Sequence, residues 1–219
     1  GYLKDAILNY VALLGWSPGG DKEFFTLEEL EQVFDIKGLS KSPAVFDVNK
    51  LRWMNGEYIK KLSLDEFHEM ALPYYKEAKL PDGMNFMRIS SLIQGRTGVL
   101  NEIPDMVAFL SVLPEYESNL FVHKKSKTNL ENSYENLTKA IEVLNDVEDW
   151  NEETLHQVLF DLIAQLGVKN SLVLWPIRIA ASGKLVTPGG SIEILGLLGR
   201  DESMRRLQIG QDILTDALR

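Results

Sequence analysis

WPIRIAASGKLVTPGGSIEILGLLG, residues 175–199, reads as two short helices joined by a turn. Pro176 suits a first helical position, where its missing N–H leaves nothing unpaired, and Gly183 supplies the stop. Ile177, Ile179, Ala180 and Ala181 give the first helix an apolar surface. Thr187-Pro188-Gly189-Gly190 is turn chemistry. Ser191 is a cap for a second helix, IEILGLLG, whose nearly all-round apolarity predicts burial. One residue is out of place. Arg178 stands among Trp, Pro, Ile and Ala, and its planar donor fork suits phosphates, carboxylates or base edges. The plainer alternative is that it snorkels to water or pairs with a nearby carboxylate.

Outward from this hairpin the helical period repeats. Leu137, Ala140, Ile141 and Leu144 form one stripe; Leu155, Val158, Leu159, Leu162, Ile163 and Leu166 form another. The acidic stretch 145–153 between them reads as a solvated connection. A last helix from about Asp201 turns Met204, Leu207, Ile213 and Leu214 inward. Toward the N-terminus, Met84 to Ile93 predicts a helix that ends in the Gly-flanked turn of Arg96. Pro104 starts another short helix. Ser63 with Glu66, and Thr26 with Glu29, are capping boxes, opening helices to about Tyr75 and Phe34. Lys4 to Leu14 is amphipathic, with Ile7, Leu8, Val11 and Leu14 on one stripe and Gly15 as its stop. It begins with almost no lead-in, as expected of a segment cut from a longer chain. No strand pattern, fixed-period repeat or low-complexity segment appears. The fold class predicted is all-α: a multi-helix region preceded by a small helical segment, with the boundary at Leu62/Ser63.

That small segment includes SPAVFDVNKLRWMNGEYIKKL, residues 42–62. Val45, Phe46, Val48, Leu51, Trp53 and Met54 are its expected buried area. Asn55-Gly56 is expected to break its helix between Leu51 and Tyr58. Lys50, Arg52, Lys60 and Lys61, with the Asn55 amide, form a mixture able to follow a phosphate backbone. A helical hairpin with merely solvated lysines reads equally well.

The 219 residues leave room for one large domain or two small ones. With 45% hydrophobic and 25% charged residues the composition is that of an ordinary globular protein. No apolar run approaches the roughly 18 residues of a membrane span, and no signal-peptide pattern opens the chain. There is no cysteine, which excludes disulfides and thiolate metal sites and fits a cytoplasmic protein. A net charge of −9 opposes indiscriminate nucleic-acid binding. The charge is uneven, however: residues 41–62 carry 5 basic and 2 acidic side chains, whereas 109–170 carry 5 and 11. Such a chain can touch a polyanion at chosen places and repel it elsewhere. His68, His123 and His156 lie far apart and never at metal-ligand spacing with a carboxylate. Pro188-Gly189-Gly190 lacks the Lys or flanking strand of a phosphate loop. No carboxylate sits in an apolar context and no serine in a nucleophile elbow, so the sequence shows no complete active site.

Three motifs in order, GYLKDAILNYVALLGWSPG at 1–19, SPAVFDVNKLRWMNGEYIKKL at 42–62 and the 175–199 stretch, resemble the C-terminal half of bacterial-type glutamyl-tRNA synthetase. The resemblance covers essentially the whole chain. The family's class I catalytic core carries a His-Ile-Gly-His signature and a Lys-Met-Ser-Lys-Ser-type loop, and neither occurs here. The resemblance therefore implies a fragment without ligase activity of its own. ATP and magnesium are implied for the full-length enzyme and no cofactor for this fragment.

What the resemblance implies for residues is specific. Residues 1–62 would be the end of the stem-contact domain, with Lys50, Arg52, Asn55, Lys60 and Lys61 against the tRNA stem. Residues 63–219 would be the anticodon-binding domain, in two parts of about 63–108 and 109–219. Arg178 matches an Arg that contacts the anticodon, and Trp175 falls where a Gln often sits. Thr187, Pro188, Gly189, Gly190 and Ser191 match the turn against the splayed bases. Arg96 matches the residue that reads the third anticodon base, cytosine in glutamate tRNA and guanine in glutamine tRNA. The pattern departs at Gly190-Ser191, where some members carry a bulky apolar pair, and at Trp175, which would have to stack on a base rather than hydrogen-bond to it. The implied partner is glutamate tRNA, with no DNA or membrane, and the protein is expected to be a monomer. The rival expectation, favoured by the charge of −9 and by Gly190-Ser191, is a helical protein-interaction module without RNA binding.

Overall fold

Side-chain caps set several of the helix ends. Thr26 and Glu29 close a reciprocal capping box, and Ser63 with Glu66 closes a second, each serine or threonine hydroxyl accepting an amide three residues on. Asn129 and Asn151 do the same further along. The computed structural model describes residues 1–41 and 44–219; Ser42 and Pro43, which open the basic segment, lie outside the described residues. The described residues form eleven α-helices. These are α1 (Lys4–Gly15), α2 (Leu27–Val33), α3 (Val48–Lys61), α4 (Leu64–Glu77), α5 (Phe86–Ile93), α6 (Ile103–Ser111), α7 (Leu130–Asn145), α8 (Glu152–Leu166), α9 (Asn170–Ser182), α10 (Ser191–Leu198) and α11 (Arg200–Ala217). Among the described residues there is no strand, only the isolated bridges Trp16–Leu39 and His123–Thr128. The all-α expectation holds.

The chain packs as two compact units interleaved in sequence: Gly1–Tyr75 with Ser90–Pro104, and Lys76–Ile89 with Asp105–Arg219. The boundary expected at Leu62/Ser63 divides the chain by sequence, and these units group it by packing. Buried Tyr75 meets Ser90 Oγ at 2.7 Å, and Gln94 Nε2 donates to Ile59 O and Leu62 O at the end of α3. These bonds gather 63–75 and 90–104 with the first residues.

The core of the first unit differs from the expected stripe. The buried residues of α1 are Ala6, Asn9 and Tyr10, whereas Ile7 and Val11 are 42% and 54% exposed. Asn9 is what turns the helix. Its Nδ2 donates to Glu23 O, and its Oδ1 accepts from Phe25 N and the Tyr58 hydroxyl, so a buried polar group is fully engaged. Tyr10, Leu51 and Met54 pack as one cluster, and Trp16, Phe25 and Leu30 as another. Val45, Phe46, Val48 and Trp53, expected inside, are exposed.

Asn55-Gly56 does not break α3, which runs unbroken from Val48 to Lys61. Tertiary contacts override the turn signal. Asn55 is fully buried: Oδ1 accepts from Leu3 N and Nδ2 donates to Gly98 O, both at 2.7 Å. At Gly56 an added Cβ would meet Thr97 O at 3.5 Å, an ordinary contact distance, so the 97–98 backbone lies close on this side of the helix.

In the second unit α7, α9 and α11 pack on one another, with α8 and α10 against them. Gly210 of α11 crosses α9 so closely that a Cβ would lie 2.5 Å from that of Ala180. The stripes of α7 and α8 are inside as expected, with Val158 and Leu166 only half-buried. Leu207 and Leu214 of α11 are buried, while Met204 and Ile213 are half-buried. The 145–153 connection is not simply solvated. Val147 is buried, and Trp150 Nε1 donates to Leu195 O at 2.9 Å.

Pro176 lies inside α9, not at its start. A proline there cannot donate to the carbonyl four residues back, Leu172 O. The buried amide of Asn136 on α7 supplies the missing donor, with Nδ2 3.1 Å from Leu172 O. Asn136→Ala should therefore cost about 1–3 kcal/mol, the range for an orphaned buried acceptor. It should cost less in a Pro176→Ala background, where residue 176 regains its N–H. A double-mutant cycle by urea denaturation checks this, and equal losses in both backgrounds would refute it.

Candidate functional site

The α9–turn–α10 hairpin brings together Trp175, Arg178 and residues 187–191. Gly183 ends α9 in the left-handed region (φ 64°, ψ 19°) with Pro114 and Tyr116 against it, so a side chain is excluded twice over. The chain then turns back over α9. Arg178 reaches across this turn: Nη1 donates to Thr187 Oγ1 at 3.2 Å and Nη2 to Leu185 O at 2.9 Å. Thr187 is buried, and its hydroxyl donates to Gly189 O at 2.6 Å. Arg178 clasps the turn through a hydroxyl and a carbonyl, and its half-buried guanidinium is fixed in direction.

The indole of Trp175 completes the constraint. The Arg178 guanidinium carbon lies 4.6 Å from the ring centre, and His123 stacks on the ring at 3.8 Å and 4°. Both groups therefore lie against the indole. Trp175 Nε1 donates to Leu120 O at 3.0 Å. The Trp175 indole thus already contacts His123 and Arg178, and its one polar atom is engaged. Ser191 is the first residue of α10 rather than its cap, which is Gly190. Its hydroxyl instead donates to Leu174 O at 2.7 Å and ties α10 to α9. Within α10 only Ser191, Ile194 and Leu195 are buried, because the helix lies along one side of α9 and α8. Pro188 is half-buried and Gly190 exposed.

The residues expected to touch a tRNA stem lie in the first unit along α3. Asn55 is buried with both polar ends occupied, as above, and presents nothing to a ligand. Arg52 forms a fork with Glu102, Nε and Nη2 each 2.7 Å from a carboxylate oxygen. This bond holds the Glu102 carboxyl below the usual carboxylate range. Its guanidinium also lies on Gly98, where a Cβ would come within 2.8 Å. Arg52 is thus a clamp on the 98–102 segment. Lys50 pairs with Glu23 and Lys60 with Glu57, each at 2.6 Å and each exposed. Lys61 Nζ lies 4.7 Å over the Phe24 ring and 5.5 Å over Tyr58. Arg96 is exposed at the end of the 3-10 turn Gln94–Arg96, which Gln94 fastens to the end of α3. It belongs to the first unit, and the Arg178 constellation to the second.

The anticodon binding domain profile matches residues 66–211. The chain belongs to that family. A second profile, the catalytic domain of the class I tRNA synthetases for Glu and Gln, matches residues 1–53, which fall within the 1–62 that the resemblance assigns to a stem-contact domain. Among curated proteins the chain is 54% identical over 218 residues to a glutamate–tRNA ligase of Clostridium tetani, covering 100% of this chain and 44% of that protein. It is 52% identical over 210 residues to one of Clostridium kluyveri, covering 96% and 43%. The chain thus spans less than half the length of the curated relatives it matches. Among solved structures a glutamate tRNA ligase from Elizabethkingia meningosepticum, crystallised in complex with its amino acid, shares the fold. The TM-score is 0.82 at 23% identity over 98% of this chain and 42% of that one.

This anticodon-binding domain carries features that the sequence did not announce. Leu185 and Val186, beside Arg178, are 50% and 77% exposed. They form an apolar tip on the turn where Gly190-Ser191 had seemed to leave none. His123 had no motif to mark it, since its meaning comes from Trp175, 52 positions on. Arg206 is fully enclosed in α11, and its helical position gave no sign of it. Among the described residues no three His, Asp or Glu are grouped to hold a metal ion, and no helix is long and apolar enough to cross a membrane.

Proposed function

We propose that this chain is the tRNA-selecting part of a glutamate–tRNA ligase, which binds the anticodon loop of glutamate tRNA through the turn at 183–191. The observation that carries this reading is Arg178: a guanidinium pre-oriented by Thr187, Leu185 and Trp175, beside two exposed apolar residues, in a chain of the anticodon-binding family. A donor fork held in place contributes more to base recognition than one that must be ordered on binding. Leu185 and Val186 supply the apolar surface against which an unstacked base can lie. Aminoacylation, with its ATP and magnesium, is assigned to the ligase outside this chain, so the chain alone has no ligase activity.

For the stem, the geometry favours part of the expected set. The exposed pairs of Lys50 and Lys60 are each worth only about 0.2–1 kcal/mol, so an RNA phosphate can replace either carboxylate at little cost. Lys61, held over two rings, needs no exchange at all. Arg52 and Asn55 are assigned to the fold.

Arg96 remains assigned to the third anticodon base. Cytosine offers acceptors on its pairing edge that a guanidinium satisfies; guanine offers a ring N–H and an amino group that it does not. Arg96→Gln should keep most affinity for glutamate tRNA and narrow its preference over glutamine tRNA roughly ten- to a hundredfold, the span of one base contact. Dissociation constants for both tRNAs at one salt concentration test it, and an unchanged ratio would remove Arg96 from the role. The same titration tests the function itself. Salt-dependent binding of glutamate tRNA, with an unrelated tRNA much weaker, is expected; no binding to any tRNA would favour a protein-interaction module. The exposed Val45, Phe46, Val48 and Trp53 of the first unit are the observation on that module's side.

A further inference from the structure

Next to the Arg178 constellation lies a short basic hairpin that none of the sequence motifs includes. His123 and Thr128 face each other across an isolated bridge, with paired backbone hydrogen bonds of 3.2 Å. Between them run Lys124, Lys125, Ser126 and Lys127. The hairpin is built rather than loose. The amide of Ser126 donates to His123 Nδ1, and Thr128 Oγ1 accepts from His123 N. The Ser126 carbonyl accepts from Ser171 Oγ at the start of α9. Lys127 itself sits in the left-handed region at φ 60°, where Gly or Asn is the easier choice.

Three lysines within four residues are the densest run of basic side chains in the chain. Lys22, Lys50, Arg52, Lys60, Arg88, Arg205, Arg206 and Arg219 are all ion-paired. Lys124, Lys125 and Lys127 are exposed and have no ion pair among the described residues. They stand in the most acidic block of the chain, 109–170, so three adjacent unneutralised charges there are not a by-product of a basic composition. The hairpin is coupled to the base-reading turn through His123, which stacks on Trp175, the same indole that the Arg178 guanidinium contacts.

We propose that Lys124, Lys125 and Lys127 form a phosphate-binding ledge for the backbone of the single-stranded RNA whose bases meet Arg178 and the 183–191 turn. This rests on the tRNA-binding reading above and extends it. The division of labour is physical: lysines contact phosphates as point charges without reading sequence, and the arginine fork reads base edges.

The test compares the full chain with Lys124→Ala/Lys125→Ala/Lys127→Ala. The control is the charge-matched Lys4→Ala/Lys76→Ala/Lys139→Ala, whose residues are exposed and outside the proposed site. Binding of a glutamate tRNA transcript is measured from 50 to 300 mM salt. Each single-strand phosphate contact contributes about 0.7 to the log–log slope. The ledge variant should therefore flatten the slope by about 2 units and weaken binding at least about tenfold at 100 mM salt, and the control should change far less. The loss should be the same for a transcript with altered anticodon bases. An unchanged slope, a control that loses as much, or a loss confined to one anticodon would overturn the ledge while leaving the anticodon reading intact. If the unaltered chain binds no tRNA, that reading fails first and the ledge with it.

Discussion

Arg206→Ala should destabilise the second unit by about 3–5 kcal/mol, the cost of removing one member of a buried charged network. The guanidinium is fully enclosed. Its Nη1 donates to Phe109 O at 2.6 Å and Ala181 O at 2.9 Å, Nη2 reaches Leu110 O at 3.4 Å, and Nε meets Glu202 at 2.6 Å. The three carbonyls belong to the last turns of α6 and α9, where helices leave acceptors unpaired and their dipoles are negative. One side chain of α11 therefore caps two other helices. Burial lowers the Arg206 pKa, and Glu202 offsets this. Arg206→Met, which keeps volume but no donor, should lose nearly as much. Urea denaturation with hydrogen exchange on α9 and α11 measures it; a loss below about 1 kcal/mol would mean that water satisfies the carbonyls.

The same network fixes a pH dependence. Hydrogen bonds from Arg205 and Arg206 bring the Glu202 carboxyl down from 4.5 to about 2. A carboxylate whose pKa is lower in the folded state stabilises it above its ordinary pKa. That contribution is lost as pH falls from about 4.5 through 2. Glu202→Gln should be less stable than the unaltered protein at neutral pH and converge with it toward pH 2.

Arg206 also shows where sequence ceases to be a guide. Helix caps at Thr26, Ser63 and Gly183 were legible because a cap is a bond within four residues of chain. The stripes of α7 and α8 were legible because burial there follows the helical period. Asn55-Gly56, Pro176 and the α1 stripe were misread because distant groups decide them: Gly98 accepts from Asn55, Asn136 donates to the carbonyl that Pro176 leaves unpaired, and Phe25 donates to Asn9. Arg178 could be picked out from its apolar neighbours. Trp175, three residues before Arg178 on the same helix, is a neighbour that the helical spacing gives; His123 against Trp175 could not be read, because that contact depends on how the 118–128 segment lies on α9.

Arg178→Ala should weaken binding of glutamate tRNA by roughly ten- to a hundredfold, the span of about 1–3 kcal/mol for a guanidinium aimed at a base edge. Folding should change little by comparison, since the clasp closes only a surface turn. In the proposed role Arg178 has two parts, a clasp on the turn and a base contact, and Thr187→Val separates them. It removes the acceptor of Nη1 and the donor to Gly189 O, loosening the turn while leaving the guanidinium in place. If the arginine both clasps and reads, Thr187→Val should lose clearly less affinity than Arg178→Ala. Arg178→Lys should lose nearly as much as alanine, because an ammonium keeps the charge but not the planar fork. Equal losses in Thr187→Val and Arg178→Ala would reduce Arg178 to a clasp. Full affinity in Arg178→Ala would move the anticodon contact elsewhere in the chain. The expected order, lysine close to alanine and valine at 187 between them and the unaltered chain, follows only if orientation of the fork, rather than charge at that position, carries recognition.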